Sequence, residues 1–455
     1  MSTSFAQKTV FKMLARLRHG ALKVVCPDRS FVFGDPASDL QACIAVHDSR
    51  FFSRLLFGGD DAAGDAYVDG DWSSPDLVAV VRLAARNLNT LEGGNPLLSL
   101  GSRLYHRARH WMNRNTVDGS RRNIQAHYDL SNDFFRLFLD QSMVYSSAIY
   151  RSAGDSLEQA QIEKLDRICR KLRLGSDDHV LEIGTGWGAF ALHASRHYGC
   201  AVTTTTISRE QHDEAQRLFA DAGADGARIT LLLEDYRQLR GTFTKIVSIE
   251  MFEAVGLEYY DTFFGTCDRL LAPQGTMLMQ AITMNEHRFD AYRKQSDWIQ
   301  RRIFPGSQLA SIREVQNSLV RATKMAPFHM EDIGLHYAWT LAEWRRRFHQ
   351  SMDDVRALGF DDAFCRMWDY YLAYCEGAFR ERHISNVQLL LTKHANIASL
   401  HGEPWGATGR AQPGLTESWA ARAAGDWCVA RAPDTPDCRP TSSERWPQAS
   451  GYRSP

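Results

Sequence analysis

The run Val180-Leu181-Glu182-Ile183-Gly184-Thr185-Gly186-Trp187-Gly188 carries the strongest local chemistry in the chain. It reads as a buried strand, a glycine-rich turn and the first turn of a helix. Glycine lets a backbone turn sharply and a ligand approach it closely, while a helix N-terminus favours a negative group. A dinucleotide site would space its glycines as G-x-G-x-x-G and place an acid about 20 residues later. Here the third glycine comes one residue early, and the next strand ends in Thr203 to Thr206 with no acid. S-adenosylmethionine is the better ligand for such a turn, with its carboxylate over the glycines. Asp235, just past the third strand, is placed to accept from an adenine amino group.

Other segments are more specific. Asn123 to Phe135 (NIQAHYDLSNDFF), Ser248 to Gly256 (SIEMFEAVG), Ile303-Phe304-Pro305-Gly306 and Tyr374 to Arg380 (YCEGAFR) follow in that order, and Tyr67 to Trp72 (YVDGDW) precedes them. From about Gly64 to Thr392 the chain resembles the cyclopropane-fatty-acyl-phospholipid synthase family, which includes the mycolic acid cyclopropane synthases. The resemblance implies a class I S-adenosylmethionine-dependent methyltransferase, an α/β fold with a Rossmann-like doubly wound sheet. A small N-terminal α/β lipid-presenting domain would precede it. The implied reaction converts cis-unsaturated acyl chains of membrane phospholipids to cyclopropanes. The alkene attacks the sulfonium methyl, a carbocation follows, and proton loss closes the ring. Methylene or methyl branching by the same first step is the nearest alternative, and a non-catalytic lipid- or cofactor-binding protein is another.

By the same resemblance, the cofactor pocket takes in Tyr128, Tyr145 and Ser146, then Glu182, Gly184, Gly186 and Gly188. Thr206, Ile207, Gln211, Asp235, Tyr236 and Ile249 complete it. Aromatic faces such as Tyr128 and Tyr145 stabilise a sulfonium cation. A bound bicarbonate is the implied base, held by Ser147, Glu253, Gln280, Ile282 and Tyr337. Two of these depart from the family pattern, which has Cys in place of Ser147 and His in place of Gln280. A hydroxyl and an amide N–H can still donate to an anion. Glu253 and Tyr337 are the implied catalytic groups. Cys375 is a third candidate, although its helical spacing with Trp368, Tyr371, Leu372 and Phe379 suits a buried structural thiol better. Glu250 reads as a second pocket acid or a capping group. No metal site is expected.

These residues need elements to carry them. Strands are expected at 179–183, 201–206, 229–233, 245–249 and 276–282, with helices at 157–172, 189–198, 209–222 and 260–271 between them. That alternation specifies a parallel doubly wound sheet. Long helices are expected over 286–324, 340–358 and 362–382, and a last strand over 387–392. Before the sheet, residues 1–90 read as an N-terminal lipid-interaction domain and 91–122 as a basic linker. Residues 123–403 form the catalytic domain and 404–455 a disordered tail. Gly58 to Asp61 and Asp69 to Asp71 read as turns.

Lys8, Lys12, Arg16, Arg18 and Lys23 are the charged residues of the first 25, with Val10, Phe11, Leu14, Leu17, Ala21 and Leu22 giving a helical apolar stripe. Such a helix lies on an anionic lipid surface or caps its own domain. In 455 residues, 53 Lys and Arg nearly balance 54 Asp and Glu, so no global charge favours nucleic acid and any attraction to lipid is local. Nine scattered cysteines without metal spacing fit a reduced compartment. With no span-length apolar run, the expectation is a cytoplasmic protein peripherally associated with the inner face of the membrane. Its partners would be the phospholipid surface, unsaturated acyl chains and a second copy in a homodimer, with no nucleic acid.

Overall fold

A computed structural model describes residues 4–88, 130–294 and 296–396. The basic linker, the tail and Tyr128 lie outside them. The chain divides into two units.

The first unit draws on residues up to 88 and on 355–383. Its sheet has the order β2-β1-β3-β4, with β1 Ala21–Val25, β2 Ser30–Gly34, β3 Gln41–Val46 and β4 Trp72–Ser73. The basic helix is shorter than its stripe predicts. It spans Phe5–Leu14, because Ala21 and Leu22 enter β1 and pair with β2 and β3. Val10 is buried and the Phe11 ring packs on Phe31, Phe33 and Phe52, so the helix caps its own unit while Lys8, Lys12 and Arg16 stay exposed. The expected break at Gly58 to Asp61 is present as a kink: Gly59, at φ 63°, is non-helical and divides the Arg50–Val68 segment into two helices.

The Asp362–Arg380 helix belongs to this unit and not to the sheet that follows it. Tyr67 donates to Asp369 at 2.8 Å, and Glu381 accepts from both Arg82 and Arg86 at 2.7 Å. A Cβ on Gly377 would stand 2.6 Å from Val81, so glycine permits the close approach. An apolar helix face shows in a sequence; the partner it buries against, some 300 residues away, does not.

The second unit holds a seven-stranded sheet of order β10-β11-β9-β8-β5-β6-β7. β5 His179–Ile183, β6 Ala201–Thr206, β7 Ile229–Leu233, β8 Phe243–Ile249 and β9 Leu271–Met284 are parallel. β10 Met325–Asp332 and β11 Ile384–Lys393 add an antiparallel edge. Side chains alternate across a strand. Val180 accordingly joins the core under the Leu157–Leu172 and Ala189–Tyr198 helices, while Leu181 and Ile183 join the one under Tyr260–Leu270. This is the doubly wound sheet the sequence predicts.

The helix expected over 286–324 is three short ones, Glu286–Tyr292, Trp298–Arg302 and Ile312–Ala322, interrupted where Pro305-Gly306 cannot continue it. β10 was not predicted. It is an edge strand with mostly exposed residues and a register shift after Pro327, and that proline interrupts its apolar residues Met325, Ala326, Phe328 and Met330.

Candidate active site

The glycine turn sits at the carboxyl end of β5. Gly184, Gly186 and Gly188 have φ of 102°, 53° and 97°, and the N–H groups of Gly184 and Thr185 both donate to Thr205 O at 3.0 Å. A Cβ at Gly188 would meet the Phe219 ring at 2.8 Å, whereas one at Gly186 would meet nothing within 4 Å. Gly188 also N-caps the Ala189–Tyr198 helix without a side-chain bond, which leaves first-turn N–H groups for a ligand. An open cradle of this kind fits the carboxylate end of S-adenosylmethionine. Glu182, beneath the turn, is buried and accepts from Thr204 at 2.6 Å. Burial pushes its carboxyl up to about 8, against the pull of Thr204 and Lys164.

At the end of β6, Thr206 donates to Gln211 Oε1 at 3.0 Å, and Ser208 caps the helix that carries Gln211. Ile207 lies between them, half-buried. Asp235 departs from the expectation of a waiting adenine acceptor. Oδ1 accepts from the Arg237 N–H and Nε and Oδ2 from Nη2, at 2.6–3.0 Å, so both oxygens already serve an ion pair. The Arg237 guanidinium also lies 5.5 Å from the Tyr236 ring.

The segment before the sheet is fixed from two sides. Asp140 accepts from the N–H groups of Ser142 and Val144, at 2.9 and 3.1 Å, in a tight loop that holds Met143 at φ 57°. Behind it, Gln161 donates to Ser146 O at 3.0 Å and the buried Lys164 donates to Ser146 Oγ at 2.8 Å. Burial pulls Lys164 down to about 8, opposed by Glu250, Asp140 and Glu182. The Tyr145 ring, half-buried, packs 5.2 Å from Trp344 and 5.3 Å from Phe135. Gln161 and Lys164 were missed in the sequence, where their signal is polar residues on the buried stripe of the Leu157–Leu172 helix.

The residues expected to hold an anion do come together, but around protein carboxylates. Glu250, just past Ile249 at the end of β8, is left-handed at φ 48°. Its Oε1 accepts from the Ser147 N–H at 2.9 Å, Gln280 Nε2 at 2.8 Å and Asn386 Nδ2 at 2.6 Å. Gln280 Oε1 in turn accepts from Gln388 Nε2 at 2.9 Å, and Gln388 Oε1 from the buried Lys171 at 2.7 Å. The Ser147 hydroxyl donates to Ala148 O, and the Ile282 N–H donates to Glu253 Oε1 at 2.5 Å. Donors at 147, 280 and 282 are therefore engaged, and the set does not fit a bicarbonate as the sequence reading expects. Tyr337 is buried on the Gly334–Gln350 helix, edge-on to Trp344 at 6.0 Å.

Glu253 keeps one unusual atom. Its Oε2 is buried without a hydrogen-bond partner among the described residues. Burial, and next the Glu250 charge, push its carboxyl up to about 8, a shift that favours the protonated acid. Cys375, the third catalytic candidate, is half-buried on the Asp362–Arg380 helix, which belongs to the first unit, whereas Glu250, Glu253 and Gln280 belong to the second. Among the described residues there is no metal-ligating cluster and no helix long and apolar enough to cross a membrane.

A family described as mycolic acid cyclopropane synthetase matches residues 116–389. The chain is 36% identical to a tuberculostearic acid methyltransferase of Mycobacterium tuberculosis, over 72% of this chain and 78% of the relative. It is also 36% identical to the cyclopropane-fatty-acyl-phospholipid synthase of Escherichia coli K12, over 77% and 88%. Among solved structures, a cyclopropane synthase from Mycobacterium tuberculosis aligns with TM-score 0.56 at 31% identity, covering 60% of this chain and 98% of that one. A mycolic acid cyclopropane synthase complexed with SAH and CTAB aligns with TM-score 0.56 at 33% identity, covering 60% and 98%.

Proposed function

The chain belongs to the mycolic acid cyclopropane synthetase family, and on that premise we propose that it is a methyltransferase that uses S-adenosylmethionine to cyclopropanate cis-unsaturated acyl chains of phospholipids. The observation that carries the reading is the open glycine cradle at the end of β5 beside two acids, the half-buried Glu250 and the buried Glu253, within the matched residues. When bound, the cofactor supplies an electrophilic methyl group on a sulfonium. The N-terminus of the Ala189–Tyr198 helix and the turn at Gly184–Gly188 would hold its carboxylate, and Gln211 its ribose. The Tyr145 face suits the cation, and the surrounding Phe135, Trp187 and Trp344 keep water from a reactive carbocation.

Identity to a tuberculostearic acid methyltransferase supports a second reading, in which the same first step ends in a methylene or methyl branch. The exposed Lys8, Lys12 and Arg16 support a peripheral approach to anionic lipid on the cytoplasmic face, with the first unit presenting the acyl chain. The test is incubation with vesicles of an oleoyl phospholipid and S-adenosylmethionine, followed by mass spectrometry of the fatty acids. A cyclopropane product supports the first reading and a branched chain the second. Unmodified oleate, with no release of S-adenosylhomocysteine, overturns both.

A further inference from the structure

We infer that the carboxylate of Glu250 stands in for a bound bicarbonate and is this enzyme's proton acceptor. The inference rests on the methyl-transfer reading above. Three observations carry it. First, Ser147 and Gln280 were both expected to grip a bicarbonate oxygen, and both instead donate to Glu250 Oε1. A bicarbonate and a side-chain carboxylate present the same pair of oxygens, so one set of donors serves either.

Second, the orientation of the grip is fixed from behind. Lys171 has only N–H donors, so Gln388 must turn its carbonyl to Lys171 and its amide N–H to Gln280. Gln280 must then aim its own N–H at Glu250. Lys171 is itself held by Glu331, so the chain of bonds is anchored on β10. Lys171 and Gln388 are in this sense positioning residues. Third, Glu250 adopts a left-handed backbone, a conformation that residues bearing a Cβ seldom take. Sparse conformations of this sort persist where the surroundings over-determine them, and here three donors converge on the carboxylate.

Glu250 Oε2 has no hydrogen-bond donor among the described residues, and burial raises the carboxyl of Glu253 beside it. In the step assigned here, the alkene π pair has already formed the first C–C bond and the S–C pair has left with S-adenosylhomocysteine. Glu250 Oε2 takes a proton from the added carbon. The freed C–H pair forms the second C–C bond of the ring, and the carboxylic acid returns its proton to solvent. No other reactant is needed.

The experiment compares the wild type, Glu250→Ala and Glu250→Gln in carbon-dioxide-depleted buffer, with and without bicarbonate or formate. The wild type is expected to turn over without bicarbonate, and both variants to lose about 100-fold or more, the scale of a general base. In Glu250→Ala the vacated site is expected to take the added anion, with turnover recovering about tenfold. The same anions are expected to raise the melting temperature of Glu250→Ala by a few degrees and leave the wild type unmoved, by the linkage of binding to stability. Equal affinity of all three proteins for S-adenosylhomocysteine shows that the cofactor site is intact. Wild-type turnover that collapses on depletion and returns with bicarbonate overturns the inference, as does full activity of Glu250→Gln. A wild type that modifies no lipid under any of these conditions overturns the methyl-transfer reading itself, and the inference with it.

Discussion

Gln280 on β9 and Gln388 on β11 form a cross-strand pair, and the Gln388 amide donates to Gln280 Oε1 at 2.9 Å. Directly opposed residues of an antiparallel pair lie close enough for such a contact to be set by register alone. The consequence is that a residue with no contact to Glu250 decides which end of the Gln280 amide faces it.

Replacing Gln388 by Leu therefore leaves Gln280 Oε1 and Lys171 Nζ each short of a partner. Urea denaturation is expected to show a loss of about 1–3 kcal/mol, the usual penalty for an unsatisfied buried polar group. Turnover should fall more than cofactor affinity, and its pH profile should move, because the Glu250 grip loosens. An unmoved pH profile would reduce Gln388 to a packing role.

Two glycines of the turn separate folding from binding. Gly188→Ala faces both a φ of 97° and the Phe219 ring at 2.8 Å, so it should lower the melting temperature sharply. Gly186→Ala meets no protein atom, and its φ of 53° costs about 1–2 kcal/mol. It should fold, and bind S-adenosylhomocysteine about tenfold or more weakly, an affinity loss of ~1.4 kcal/mol. Calorimetric titration checks both, and unchanged affinity in Gly186→Ala would remove that face from the cofactor site.

The buried acids predict the direction of the pH dependence. Glu253 and Glu182 rise from an ordinary 4.5 to about 8 in the folded protein. Between those values these two groups bind more protons in the folded state than in the unfolded one, so their contribution to stability falls as pH rises from 4.5 towards 8, opposed below 6.5 by His193 and His336, which desolvation pulls down to about 4. Glu253→Gln removes one of the two contributions and should flatten the slope. Thermal melts of the ligand-free protein from pH 5 to about 8.5 test this, and a slope equal to wild type would mean that Glu253 does not titrate there.

Cys375 lies on the Asp362–Arg380 helix, whose neighbours are the Arg50–Val68 and Leu77–Arg86 helices of the first unit. Cys375→Ala is expected to keep turnover within about twofold, since thiol to hydrogen is a small truncation of a half-buried side chain on a helix of the first unit. A loss of a hundredfold without unfolding would return it to the mechanism.

The sheet was legible because its strands are apolar runs separated by helical periods, and the turn because glycine readily accepts the angles found at 184 and 188. β10 was not, being a mostly exposed edge strand interrupted by Pro327. Likewise Gln161, Lys164 and Lys171 are ordinary letters in a helix until the fold buries them.

The sequence by itself determined the family, the parallel sheet, the cofactor turn and the presence of two acids at 250 and 253. These are local properties, written in periodicity, glycine placement and short motifs. Only the tertiary structure decided what the acids meet. Hydrogen bonds between residues more than 100 apart, such as Ser147 to Glu250 and Gln388 to Gln280, depend on strand order and register. Desolvation, which sets which buried acid keeps its proton, likewise exists only once the chain has closed around the site.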